Sequence, residues 1–306
     1  MRRLYAFACL VACMTAAFAL LGGTAAAKKP AKHERPAAKR NLPVVPGSQY
    51  LALGDSVTFG YMEAGVVPTP DYHNAANFPG YPEQLGAALR LKVANAACSG
   101  ETSSSLIDPK AQSNGCENSP GHPNTGYRTM YPLHVKYSGS QLAFALSYLK
   151  SHHKVRLVSL MIDANDFFVC EETTSDACGS STEQNATAAT VTKNIHTILS
   201  SIRDKAHYRG QIVIVNYYSL NYASPAISAQ SQLLNKVQDA AAKPFHVRIA
   251  DGYGEFQAAA AHSGAGGDTC KAGLITRLSS GGCGIHPSYA GQALLAQAVE
   301  KAIKLG

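Results

Sequence analysis

Four residues that could cooperate in acyl transfer each follow a hydrophobic segment or precede the last helical pattern. Ser56 stands in the tripeptide GDS, Gly100 in CSG, Asn165 in ND and His286 in HP. A serine hydroxyl needs a base to become a nucleophile, and the imidazole of histidine titrates close to neutral pH. The backbone N–H groups of Ser56 and Gly100 and the Asn165 amide could stabilise an oxyanion. Each residue alone is also typical of a cap or turn, so the interpretation depends on all four occurring together.

The segments around these residues alternate between predicted strands and predicted helices. Strands are predicted at 50–53, 93–97, 155–162, 211–217 and 246–250, and helices at 81–91, 140–151, 186–206, 228–242 and 289–305. Such alternation predicts an α/β fold with a parallel sheet covered by helices on both faces. Ligands of these sheets bind beyond the carboxyl ends of the strands, where the four residues are expected to converge. The polar segment 101–139 is too long for an ordinary loop and is expected to be functional or clamped.

Taken in order, these four motifs resemble the four blocks of the SGNH (GDSL-type) hydrolase family over residues 48–306. The cysteine-containing second block makes the sequence most similar to the secreted bacterial esterase and lipase branch. The resemblance implies a flavodoxin-like three-layer α/β/α sandwich with a central parallel sheet of about five strands. It also implies hydrolysis of carboxylic esters through an acyl-enzyme on Ser56, with His286 as the base, Ser56, Gly100 and Asn165 as the oxyanion hole, and neither metal nor cofactor.

The identity of the ester stays open at this point. A small molecule, a lipid or an acylated glycan would each fit the resemblance. A carbohydrate O-acetylesterase and a non-catalytic, wall-associated binding protein on the same scaffold are the alternatives to a general esterase or lipase. Aromatic and apolar residues near the four blocks could line an acyl pocket or belong to the ordinary core, namely Phe59, Tyr61, Phe78, Phe167, Phe168 and Leu274.

The group that orients His286 is not evident, because Cys283 occupies the position three residues earlier where the family usually has aspartate. A sulfur atom in a disulfide carries no charge and accepts hydrogen bonds poorly, so the side chain cannot replace a carboxylate. The backbone carbonyl of Cys283 is the candidate we favour, as in some relatives with this pattern. A distant carboxylate, Asp251 or Asp268, is the alternative.

A second departure from the family pattern is Asp163, which stands two residues before Asn165 where glycine is usual. A carboxylate that pointed into the oxyanion hole would oppose catalysis. We therefore expect the Asp163 side chain to point away from it.

Six cysteines remain after the first 27 residues, and an even number in an exported chain indicates disulfides. Six cysteines allow fifteen connectivities. Pairing in sequence order closes the shortest loops and predicts the bridges Cys98–Cys116, Cys170–Cys178 and Cys270–Cys283. The chain has no C-x-x-C motif and no cysteine or histidine spacing typical of a zinc site.

The N-terminal sequence predicts that the protein is exported. Arg2 and Arg3 precede an apolar run over 4–21 and an alanine-rich end, so residues 1–27 are predicted to be a signal peptide cleaved after Ala27. An uncleaved membrane anchor and a lipoprotein processed at Cys13 are the alternatives. Residues 28–46, rich in lysine, proline and alanine, are predicted to be a linker before a hydrolase domain at 47–306.

The positive charge of the chain is confined to this N-terminal part. Residues 1–40 hold eight of the 27 Lys and Arg and one of the 20 Asp and Glu, which leaves nineteen of each sign in residues 41–306. A neutral body gives no electrostatic support for nucleic-acid binding. The basic tail could attract anionic cell-wall polymers weakly, and we expect a monomer.

Overall fold

The computed structural model describes residues 41–123 and 125–306. The predicted signal peptide and linker residues 28–40 lie outside this range. Among the described helices, none combines the length and hydrophobicity that crossing a membrane would require.

Five parallel strands form the central sheet in the order β2-β1-β3-β4-β5. They are β1 (Gln49–Gly54), β2 (Lys92–Asn95), β3 (Val155–Met161), β4 (Gln211–Val215) and β5 (Arg248–Ala250). This is the flavodoxin-like strand order, in which the direction of winding reverses between β1 and β3. The predicted fold class is therefore confirmed, and the crevice at this reversal is where the loops after β1 and β3 meet.

Nine α-helices occur in the described residues: α1 (Ser56–Phe59), α2 (Tyr81–Leu89), α3 (Tyr127–Met130), α4 (Gln141–Ser151), α5 (Ala164–Thr173), α6 (Ser181–Ser200), α7 (Pro225–Ala242), α8 (Gly252–His262) and α9 (Tyr289–Ala302). Short 3-10 turns lie at Ala75–Asn77 and Lys243–Phe245, and a π-helical turn at Ser201–Lys205 extends α6.

The helices cover both faces of the sheet because the strands are apolar on both sides. In β1, Leu51 and Leu53 belong to a core cluster with residues of α4, α6 and α7. Tyr50 and Ala52, which alternate with them, belong to a second cluster with residues of α2, α8 and α9. The two clusters make the two interfaces of a three-layer sandwich and fix the sheet that carries the site.

The sequence prediction missed helices α3, α5 and α8 and the two strands of a second, small sheet. The polar pair Asn165-Asp166 in the first turn of α5 resembles a turn, and α8 begins with two closely spaced glycines, which disfavour a helix interior. The Asp251 side chain caps α8 by accepting from Gly254 N at 2.8 Å. The two missed strands are β6 (Ile275–Arg277) and β7 (Cys283–Pro287), which pair antiparallel, and β7 carries His286.

Residues 41–46, which the sequence analysis places in the linker, pack against the domain. Val44 is buried, its N–H donates to Lys304 O at 2.9 Å, and its carbonyl accepts from Gly306 N at 3.1 Å. Asn41 N–H donates to Arg209 O at 2.8 Å. The packed part of the chain therefore includes residues 41–46.

The three disulfides of the structure are Cys98–Cys116, Cys170–Cys178 and Cys270–Cys283, as predicted from sequence order. The first clamps the long segment 101–139, which contains only α3 as a described helix. The second joins α5 to the turn before α6, and the third attaches β7 to the loop that precedes β6.

Candidate active site

Ser56 lies at the first position of α1, immediately after β1. The Asp55 carboxylate caps this helix by accepting from Val57 N at 3.0 Å, and it also accepts from the Tyr217 hydroxyl. Burial raises the pKa of Asp55 to about 6, although the Tyr217 hydrogen bond opposes the rise. The Ser56 hydroxyl oxygen is 2.9 Å from His286 Nε2. A serine and a histidine 230 positions apart are thus within hydrogen-bonding distance, as a nucleophile and its base must be.

The group beside the other imidazole nitrogen is Glu63. Its Oε1 is 2.8 Å from His286 Nδ1. Nδ1 makes no well-aligned hydrogen bond to this oxygen, so the contact is a close approach of the carboxylate to the ring nitrogen. Catalytic hydrogen bonds of unliganded enzymes are often misaligned in this way and tighten when substrate binds.

Glu63 corrects the predicted role of Cys283. The backbone carbonyl of Cys283 is not the group that faces Nδ1, because the carboxylate of Glu63 occupies that side of the ring. The two alternative acids also have other partners, since Asp251 caps α8 and Asp268 contacts Lys271. Ser56, His286 and Glu63 thus have the arrangement of a Ser–His–Glu triad, with the acid in the loop after α1.

Several donors hold the Glu63 carboxylate in place. Its Oε1 accepts from the backbone N–H of Ile285 at 2.5 Å and of His286 at 2.8 Å, and Oε2 accepts from Thr276 Oγ1 at 2.6 Å. A Cβ at position 284 would lie 2.2 Å from Glu63 Oε1 and would displace the carboxylate, so Gly284 leaves room for this arrangement. Burial alone would raise the pKa of Glu63, but the contact with His286 and the Thr276 hydrogen bond outweigh it and lower the pKa to about 2. The carboxylate is therefore charged at neutral pH, as a partner for an imidazolium must be.

The predicted oxyanion donors all line one cavity with Ser56 and His286. Ser56 N–H is at the start of a helix, where backbone donors lack intrahelical acceptors. Gly100 has φ +81°, and a Cβ there would lie 2.3 Å from the carbonyl oxygen of Asn114. Asn165 Nδ2 donates one hydrogen to Glu101 O at 3.0 Å, which leaves its second hydrogen for a ligand. Within the described part of the chain, neither Ser56 N–H nor Gly100 N–H donates to another protein group.

Asp163 does not line this cavity, which agrees with the expectation that it points away. It precedes α5 with φ +138°, a backbone conformation that favours glycine, and it is fully buried. Neither carboxylate oxygen has a hydrogen-bond partner among the described residues. Burial raises the pKa of Asp163 well above its ordinary value, and the nearby charges of Asp166, Asp55 and Asp239 add to the rise. The raised pKa favours the neutral form of Asp163, which carries no charge that would oppose an oxyanion.

The cavity above the triad has a volume of about 710 Å³. One part of its wall is apolar and comes from α5, α7 and the loop after β4, namely Phe167, Phe168, Leu220, Ile227, Leu233 and Leu234. Tyr61, Tyr127 and Tyr131 form an aromatic part, and the edge of the Tyr61 ring meets His286 at a centroid distance of 5.1 Å. Of the predicted pocket residues, Phe59, Phe78 and Leu274 are buried core residues that do not line it.

One group of potential metal ligands occurs in the described residues, formed by Cys98, Glu101 and Cys116. The two cysteines form a disulfide, so they offer no thiolate to a metal ion.

Sequence reasoning missed Glu63 and Asn114. Glu63 is the one acidic residue between Asp55 and Asp71, within an aromatic segment, and that isolation is the only signal it gives. Asn114 lies in a segment rich in small polar residues that shows no period. Neither has a fixed spacing to the residue that it contacts.

Comparisons with known proteins bear on the family and the fold. The model of the GDSL-like Lipase/Acylhydrolase family matches residues 52–294. The lipase Lip_vut3 from a goat rumen metagenome has a similar structure, with a TM-score of 0.51, 15% identity, and coverage of 83% of this chain and 96% of the lipase. Its likeness supports the fold. No curated protein matches the sequence.

Two further solved structures are similar at lower scores. Phospholipase A1 from Streptomyces albidoflavus NA297 has a TM-score of 0.49, with 21% identity over 84% of this chain and 99% of the phospholipase. An acetyl xylan esterase from Geobacillus stearothermophilus has a TM-score of 0.44, with 14% identity over 86% of this chain and 98% of the esterase.

Replacing Glu63 by glutamine should lower kcat by about 10⁴-fold, the order of loss seen when a triad carboxylate becomes an amide. The amide keeps the shape of the side chain but loses the charge that stabilises the imidazolium. Steady-state hydrolysis of a nitrophenyl ester measures the effect. Asp251→Asn and Asp268→Asn serve as controls and should leave kcat close to the wild-type value. A large loss in either control, with Glu63→Gln active, would contradict the assignment.

Asp163→Gly should raise the melting temperature, and more so at pH 8 than at pH 5. The variant relieves a positive φ that costs about 1–3 kcal/mol. It also removes an acid whose pKa is raised in the folded state. Below its unfolded-state pKa of about 4, such an acid does not lower the free energy of unfolding. As the pH rises from there towards the folded-state pKa, the free energy of unfolding falls.

Calorimetry at the two pH values measures this difference, with about 2–4 °C expected for each kcal/mol. Asp163→Asn, which keeps the strained backbone but cannot ionise, separates the two contributions. A lower melting temperature for Asp163→Gly at both pH values would refute the account.

Proposed function

Because the chain belongs to the GDSL-like Lipase/Acylhydrolase family, we propose that it hydrolyses carboxylic esters through an acyl-enzyme on Ser56. The observation that carries this proposal is the 2.9 Å contact between Ser56 Oγ and His286 Nε2 beside a large cavity. The same contact speaks against a non-catalytic binding protein, which would have no need of an aligned nucleophile and base.

In the proposed mechanism, Ser56 Oγ attacks the ester carbonyl while His286 Nε2 takes the hydroxyl proton. The Glu63 carboxylate stabilises the resulting imidazolium through Nδ1. The carbonyl oxygen becomes an oxyanion that accepts from Ser56 N–H, Gly100 N–H and Asn165 Nδ2. His286 then gives its proton to the leaving alcohol, and water attacks the acyl-enzyme by the same route. Each oxyanion donor is worth about 3 kcal/mol in such reactions.

The apolar part of the cavity supports a medium or long acyl chain as the preferred substrate. Side chains from α5 and α7 surround space that is far larger than an acetyl group needs, and 710 Å³ is within the range of pockets for drug-sized ligands. Each methylene buried there stabilises the bound ester by about 0.8 kcal/mol, which is roughly fourfold in kcat/KM. We therefore favour a lipase-type or long-chain esterase over a carbohydrate O-acetylesterase.

A series of nitrophenyl esters from acetate to decanoate tests this preference. We expect kcat/KM to rise by roughly fourfold per methylene until the cavity is filled, and Ser56→Ala to be inactive on every ester. Highest activity on the acetate, together with deacetylation of acetylated xylan, would establish the O-acetylesterase instead. Hydrolysis that persists in Ser56→Ala would refute the proposed function itself.

A pair of tryptophan variants on α7 tests whether the apolar wall sets the preference. Ile227 lines the cavity, whereas Ala229 is exposed on the same helix and does not. Ile227→Trp should lower kcat/KM for the decanoate and leave the acetate nearly unchanged, because the ring would fill the acyl space. Ala229→Trp should alter neither. Equal effects of the two variants on all chain lengths would place the acyl chain elsewhere.

We also propose that the protein is exported. The support is the positively charged and apolar N-terminus together with three disulfides, which persist in oxidising compartments. N-terminal sequencing of protein recovered from the culture medium should begin at Lys28. A lipid-modified chain that begins at Cys13 would identify a lipoprotein, and protein that keeps its first residues in the cytoplasm would contradict export.

A further inference from the structure

Asn114 touches two of the three oxyanion donors but has no part in the reaction described above. It lies in the segment that the Cys98–Cys116 disulfide folds back onto the second block. Its backbone N–H donates to Gly100 O at 2.7 Å. Its side-chain Nδ2 donates to Asn165 Oδ1 at 3.0 Å. One residue thus contacts both Gly100 and Asn165.

The hydrogen bonds fix which way the Asn165 amide faces. Its neighbour on one side is the carbonyl oxygen of Glu101, which can only accept, so Asn165 must present Nδ2 to it. Asn165 Oδ1 therefore faces Asn114, and Asn114 must donate to it. With the oxygen and one hydrogen engaged, the second Nδ2 hydrogen is the one left to bind an oxyanion.

Gly100 is held by the same residue. The backbone bond from Asn114 fixes the Gly100 carbonyl, and the Asn114 carbonyl oxygen packs directly against the Gly100 Cα, where a Cβ would be only 2.3 Å away. A shift of Asn114 would therefore move Gly100, the residue whose own N–H is the proposed oxyanion donor.

We propose that Asn114 is a positioning residue of the oxyanion hole, which it assembles by orienting the Asn165 amide and fixing Gly100. The inference rests on the proposed esterase function. Asn114 acts through Asn165 and Gly100, so its contribution is expected in the transition state, where the oxyanion exists, and not in the binding of the uncharged ester.

The test compares Asn114→Asp and Asn114→Ala with the wild type. A carboxylate at position 114 cannot donate to Asn165 Oδ1, so the amide must turn or lose a partner. We expect kcat to fall by about 100-fold for Asn114→Asp, the order of loss for one oxyanion donor, with KM nearly unchanged. Asn114→Ala keeps the backbone bond to Gly100 and should lose less.

A matched control comes from Asn118 in the same segment. Its Oδ1 accepts from Ser113 N at 2.9 Å and its Nδ2 donates to Ala111 O at 3.0 Å, so it supports the loop without contacting an oxyanion donor. Asn118→Ala should lower the melting temperature but leave kcat close to the wild-type value. If kcat falls in Asn114→Ala and in Asn118→Ala in proportion to the loss of thermal stability of each variant, Asn114 has only a structural role and the proposal is overturned.

Inhibition by an alkylboronic acid gives a second measurement that a structural role would not change. The boronate forms a tetrahedral adduct with a serine nucleophile and places an oxygen in the oxyanion hole. Its Ki should rise in Asn114→Asp by the factor by which kcat falls, while Ki for the corresponding alcohol stays constant. An unchanged boronate Ki overturns the positioning role alone, whereas activity in Ser56→Ala overturns the proposed function on which it rests.

Discussion

The site depends on one half-buried carboxylate, that of Glu63. Burying a charge is costly unless it is paired and hydrogen-bonded, and Glu63 meets this condition through the His286 ring, two backbone N–H groups of β7 and the Thr276 hydroxyl. These contacts join the loop after α1 to the β6–β7 pair, so the nucleophile and its base are held together by the acid itself. The absence of a side chain at Gly284 is what allows the approach.

A second polar network holds together the loops that carry the oxyanion donors. The Gln141 amide binds both Gly54 N, at 2.6 Å, and the Glu101 carboxylate, at 2.9 Å, and so connects the ends of β1 and β2. The Asp166 carboxylate accepts from Ser103 N at 2.8 Å and connects α5 to the same loop. The sheet brings these loops to one edge, but side-chain hydrogen bonds determine how the donors face one another. Such networks are rigid when all their members are satisfied.

The parallel sheet and the four block residues could be predicted because both follow from local patterns, whereas the flavodoxin-like strand order was implied only by the family resemblance. Buried parallel strands are continuous apolar runs, and residues at their carboxyl ends converge whatever the intervening sequence. Glu63 could not be predicted, because it contacts His286 across 223 positions through loops that no periodicity describes. The family usually has its acid three residues before the histidine, and in this chain that position is Cys283. Helix α8 was missed for a different reason, since its cap and its alanines outweigh two unfavourable glycines.

A crystal structure of the enzyme inactivated with an alkyl fluorophosphonate tests the central claim most directly. The account predicts phosphorus on Ser56 Oγ, Glu63 Oε1 in an aligned hydrogen bond with His286 Nδ1, and the phosphoryl oxygen within hydrogen-bonding distance of Ser56 N, Gly100 N and Asn165 Nδ2. A structure in which Nδ1 donates to the Cys283 carbonyl while Glu63 has turned away would contradict it and leave a Ser–His dyad.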